Sequence, residues 1–124
     1  MIVYVFGNQD LPADSLPLKI LPGLEKKMPQ VRFVVKDPNE EWDVPEELVV
    51  IDTVEGVKDV TVFDDLTKFV AAPRVTMHDF DALTNLRYLQ KLGKIKKIKV
   101  IGIPATIPEN EALQKVAVLL GQAG

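Results

Sequence analysis

Two runs, Ile2–Phe6 and Leu48–Ile51, constrain this chain most, because they are apolar at every position rather than at every second one. A strand with one wet face alternates in polarity. A strand buried on both faces does not, and such strands belong to parallel sheets covered by helices on either side. Val31-Arg-Phe-Val-Val and Ile98-Lys-Val-Ile-Gly-Ile are interrupted versions of the same pattern. Helical spacing fills the intervals. Leu16, Ile20, Leu24 and Met28 lie on one stripe, with Ser15 as the N-cap candidate and Pro17 in the first turn, where its missing N–H costs nothing. Pro22 predicts a kink in that helix or a restart near Gly23.

Phe80, Leu83, Leu86, Leu89 and Leu92 recur every three residues, which predicts a second long helix. Thr76-x-x-Asp79 resembles a capping box at its start, and Gly93 closes its end. A last helix is expected over residues 111–120, and about one turn around Leu66 and Phe69 within Asp64 to Pro73. Val60-Thr-Val-Phe follows the Leu48–Asp52 strand closely enough, across Gly56, to predict a hairpin and hence one antiparallel strand. Asp37 to Pro45 has no periodicity and reads as a connection. This alternation predicts an α/β fold, a three-layer α/β/α sandwich on a mostly parallel five-stranded sheet with one antiparallel strand, with residues 1–124 forming a single domain.

Composition narrows the chemistry. Among 124 residues there are 15 basic and 18 acidic ones, a net charge of −3, so no basic footprint points to nucleic acid. The lysines from Lys91 to Lys99 alternate with Ile95 and Ile98 and read as a helix end leading into a strand. The absence of cysteine removes disulfides, thiolate catalysis and thiolate metal sites. With no run of about 18 apolar residues, a soluble, cytoplasmic protein is expected, and with no obvious extra apolar face on one small domain, a monomer.

Chemistry converges on strand ends. Asp14 follows the first strand, Asp52 ends the third, and the chain's one histidine, His78, opens the leucine-rich helix. Ligands of open α/β sheets bind at the carboxyl edge of the strands. If the first and third strands are neighbours, two carboxylates and an imidazole meet there as an open divalent-metal site suited to nickel, zinc or manganese. Their spacing matches no local metal motif. Ser15 with His78 and an aspartate lacks the Gly-x-Ser-x-Gly elbow of a serine hydrolase. An Asp14–Asp52 dyad remains a further alternative. Gly7 and Gly56 belong to no nucleotide-binding motif.

Three blocks, Phe6-Gly-Asn with an acid six positions on, Val49-Val-Ile-Asp-Thr-Val-Glu-Gly, and Val75-Thr-Met-His-Asp-Phe followed by the leucine-rich helix and Gly102-Ile-Pro, resemble the hydrogenase maturation endopeptidases. The resemblance implies an endopeptidase that removes a C-terminal extension from the large-subunit precursor of nickel–iron hydrogenase after nickel insertion. It marks Asp14, Asp52 and His78 as metal-contacting and catalytic, with the nickel delivered inside the precursor and no organic cofactor. The flanking Gly7, Asn8, Asp10, Thr53 and Gly56 are then candidates for the substrate-binding loops. The chain also departs from the family: Val5 stands where many relatives have glycine, and Asp37-Pro-Asn-Glu-Glu-Trp replaces a glycine-rich segment and most of a helix. A non-catalytic relative that binds nickel or precursor is the alternative.

Overall fold

The computed structural model describes residues 1–37, 42–71 and 75–123. Strand β1 (Ile2–Val5) leads through a 3-10 turn, Pro12–Asp14, into helix α1 (Leu16–Lys27). Then follow β2 (Arg32–Val35), β3 (Glu47–Glu55), β4 (Thr61–Phe63), α2 (Thr67–Ala71), β5 (Thr76–Met77), α3 (Phe80–Lys91), β6 (Lys97–Ile103) and α4 (Glu109–Ala123). The main path of the sheet is β2-β1-β3-β6-β4. Its first four strands are parallel, and β4 runs antiparallel to β6. This is the expected α/β sandwich, enlarged by β5, which pairs antiparallel with the end of β3.

The apolar runs account for the layers. Val3, Val5, Ile51, Ile101 and Ile103 face α1 and α4, while Tyr4, Leu48, Val50, Val54 and Val100 face α2 and α3. Successive strand residues point to opposite faces, so a run that is apolar throughout feeds both cores at once. The leucine spacing likewise seats Leu83, Leu86 and Leu89 against the sheet. Gly93, with φ +78, ends α3 in a Schellman motif in which the Gly93 N–H reaches the Gln90 carbonyl and the Lys94 N–H that of Leu89.

Several local expectations change. Helix α1 runs through Pro22 without restarting, because Leu16, Ile20 and Leu24 on both sides of the proline pack into one core. Ser15 precedes the helix but its hydroxyl donates to the Pro12 carbonyl, 3.1 Å away, and caps no helical N–H. Strand β4 makes no hairpin with β3. Since β1 and β6 already flank β3, the chain crosses to the outer side of β6 and pairs Thr61 with Gly102. Thr76 lies in β5 and is no cap, and β3 continues past Asp52 to Glu55 because β5 pairs with Val54 and Glu55. The expected connection between β2 and β3 has no helix among its described residues. Pro38, Asn39, Glu40 and Glu41 lie outside them, as does Pro73 in the α2 segment. Trp42 fastens that connection, its ring 5.2 Å from Phe6 and its indole N–H donating to the Asp37 carbonyl at 3.0 Å. Among the described residues no helix is long and apolar enough to cross a membrane.

Candidate functional site

The chain brings its candidate residues together by folding three segments onto the carboxyl edge of β1 and β3. After β1 the backbone reverses at once. The Asn8 N–H donates to the Asp14 carbonyl at 2.9 Å, and the Asp10 N–H to the Asn8 side-chain oxygen at 2.9 Å. Gly7 permits this return, since a Cβ there would stand 2.9 Å from the Asp14 carbonyl oxygen and 3.2 Å from Leu18 Cγ. Asp14 is thereby pressed into the protein, only 1% exposed.

Strand β3 supplies the floor. Asp52 and Thr53 are fully buried where its pairing with β6 ends. The short β5 positions the histidine: Met77 pairs with Val54, and the His78 N–H donates to the Thr53 carbonyl at 2.8 Å. His78 Nδ1 comes to rest 3.4 Å from Asp14 Oδ2, with about a quarter of its side chain exposed. Asp52 Oδ2 accepts the Asp79 N–H at 3.3 Å. Asp14 and His78 thus meet, while Asp52 lies beside them on the Asp79 amide and outside the group of donor atoms.

A fourth residue meets them. One donor atom each from Asp14, His78 and Asp79 lies within 4.8 Å of the others. In the sequence Asp79 looks like no more than a capping partner, because an acid at a helix start is ordinarily explained by the positive helix end. Its placement depends on β5, and two residues carry no periodicity from which to predict a strand.

Electrostatically the cluster is strained. Burial, then the adjoining Asp79 carboxyl and its charge, then the charge of Asp14, push Asp52 well above the usual carboxylate range, against the Asp79 N–H. Burial and the Asp79 charge also raise Asp14, although the His78 charge and the nearby Thr53 hydroxyl oppose them. Asp14 Oδ1, Asp52 Oδ1 and Asp79 Oδ2 are shut off from solvent without a hydrogen-bond partner among the described residues. Buried carboxylate oxygens left in this state are costly unless a cation or proton joins them. Carboxylates and an imidazole suit a borderline divalent ion such as nickel or zinc.

The site opens on a cleft of about 880 Å³ lined by Gly7, Asn8, Asp10, Val35, Asp79 and Asp81. Of the proposed substrate loops, Gly7, Asn8 and Asp10 line this cleft, while Thr53 lies beneath the site and Gly56 turns the chain beyond β3 with φ +90.

The fold is thus a mostly parallel α/β sandwich with Asp14, His78 and Asp79 gathered at its carboxyl edge. Solved structures share that fold: the hydrogenase maturating endopeptidase HybD from E. coli matches with a TM-score of 0.65 and 16% identity over 99% of this chain and 93% of that one. The solution structure of the endopeptidase HycI from Escherichia coli matches with a TM-score of 0.63 and 19% identity over 100% and 92%. A further Escherichia coli endopeptidase structure gives 0.65 and 17% over 100% and 94%. No protein-family model matches the chain, and no curated protein matches it.

Proposed function

We propose that this protein is a hydrogenase maturation endopeptidase, which removes the C-terminal extension of a nickel–iron hydrogenase large-subunit precursor once nickel has been inserted. The pairing of Asp14 with His78 at the carboxyl edge of a HybD-like sheet, with Asp52 buried beside them on the Asp79 amide, supports the reading. The nickel is cargo arriving with the precursor. Asp14 and His78 offer it an oxygen and a nitrogen donor, and the buried Asp52 supplies a second carboxylate at the floor. Precursor without nickel cannot complete that set of contacts, so the site checks for the metal before cleavage. One of these carboxylates, ionised once the cation is bound, is a candidate base for the attacking water, and a water activated on the cation is the other route. The neighbouring cleft, with Asn8 and Asp10 on its rim, accommodates the extension.

The test incubates the purified protein with nickel-loaded and nickel-free precursor and weighs the products by intact mass. Loss of a C-terminal peptide from the loaded form alone is the expected result. Binding without cleavage of either form would replace this reading with the non-catalytic one. That alternative draws on the lack of a helix among the described residues between β2 and β3, a departure near the cleft.

A further inference from the structure

Asp79 occupies the N-cap position of α3, where an aspartate ordinarily turns its carboxylate back onto the N–H groups of the first helical turn. Here it makes no such bond. Its backbone N–H is instead taken by Asp52 Oδ2, and its own Oδ2 is buried with no partner among the described residues. The same carboxylate contributes a donor atom to the group formed with Asp14 and His78, all within 4.8 Å of one another. Two donors of one ion, each about 2.0–2.2 Å from it, stand at most about 4.4 Å apart, so a small inward movement suffices. A second observation points the same way: Asp14, whose Oδ2 lies 3.4 Å from His78 Nδ1, is 1% exposed, and its Oδ1 is buried with no hydrogen-bond partner among the described residues.

We propose that Asp79 is a further metal ligand of this site, giving a divalent cation an additional carboxylate oxygen alongside Asp14 and the His78 imidazole. The backbone supports it at both ends: β5 fixes His78 on Thr53, and Asp52 fixes the Asp79 amide, so the two adjacent side chains are presented together. With this added donor the site offers a free divalent ion enough ligands for that ion to stand in, in vitro, for the nickel of the precursor. The proposal deepens the metal-checking reading and rests on it for the identity of the natural cargo.

Its test uses ions alone. The full chain is titrated with Ni²⁺ by calorimetry and with Co²⁺ by visible absorption, as wild type, Asp79→Asn and Asp81→Asn. Asp81 also lines the cleft and sits in the first turn of the same helix, but lies outside the donor group, so it controls for mere loss of negative charge. Asp79→Asn is expected to weaken Ni²⁺ binding by at least about tenfold, the lower bound of what supporting residues alone contribute, and to shift the cobalt bands. Asp81→Asn is expected to leave the bands in place. Cobalt bands unmoved by Asp79→Asn, equal losses in the two variants, or a wild type that binds neither ion at millimolar concentration would overturn the assignment. If Asp79→Asn does not fold, Asp79→Glu answers the same question, since it keeps a carboxylate donor but shifts its reach: moved bands support ligation and unmoved bands refute it. Failure of precursor cleavage with this ion binding intact would sink the protease reading and leave the ligand assignment standing.

Discussion

The two edges of the sheet treat charge in opposite ways. At the amino edge Glu46 faces Lys96 at 3.4 Å and Glu47 faces Lys97 at 3.8 Å, every side chain at least two-thirds exposed. Opposite signs are matched and water solvates both. At the carboxyl edge the Asp14 and Asp79 carboxylates crowd one imidazole, and Asp14 and Asp52 are withdrawn from solvent with oxygens unpaired among the described residues. The first arrangement is what a surface needs for solubility and asks little of the fold. The second works against the fold, and its cost becomes intelligible if the edge exists to receive a cation.

The largest effect is expected where that function is removed. His78→Ala deletes the one imidazole at the edge and touches little of the core, so precursor trimming should fall by a factor on the order of 10² or more while the melting temperature stays near wild type. Trimming at the wild-type rate would break the contrast between the edges outright.

Next comes the stability cost itself. The folded chain holds the Asp52 proton to a higher pH than the unfolded chain does. That contribution is therefore present in full below the ordinary carboxylate range and is lost as pH rises through the raised folded-state value. Asp52→Asn, a neutral isostere that can still accept the Asp79 N–H, should raise the stability of the metal-free protein near neutral pH by about 1–3 kcal/mol and flatten this part of its pH dependence. Denaturant titrations of both proteins across mildly acidic to neutral pH measure the difference. Equal curves would mean that the Asp52 carboxylate is not strained.

The contrast also explains what was legible in the sequence. Strands β1 and β3 announce themselves because burial on both faces removes alternation, and α3 does so because Leu83, Leu86 and Leu89 must keep to one stripe. Asp14, Asp52 and His78 could be singled out as candidates because strand ends and a helix start are located by those patterns. Other features rest on pairings between distant segments and leave no local signature. The two-residue β5, the crossing of β4 to the far side of β6 and the lengthening of β3 to Glu55 are all of this kind. Asp79 was missed for a different reason: its sequence context suits an ordinary cap, and only the absent capping bond shows that its carboxylate is turned elsewhere.

A smaller effect separates the path of the backbone from the charges it carries. Gly7→Ala would bring a methyl group within 2.9 Å of the Asp14 carbonyl oxygen, which belongs to backbone and has little freedom to withdraw. A loss of about 1–3 kcal/mol in denaturant titration is expected, together with weaker Ni²⁺ binding as Asp14 is displaced. Loss of stability with unchanged Ni²⁺ affinity would show that the loop closes the fold without placing the ligand.

The smallest effect belongs to the amino edge and completes the comparison. Lys97 and Glu47 are 80% and 74% exposed, and at 3.8 Å their charges interact through solvent. Lys97→Ala should change stability by less than about 0.5 kcal/mol at moderate salt, since the Lys97 backbone N–H that donates to the Glu46 carbonyl is untouched by the substitution. Thermal unfolding at low and high salt measures this directly. A loss comparable to the gain in Asp52→Asn would mean that both edges are electrostatically tuned, and the strain at the carboxyl edge would cease to distinguish it.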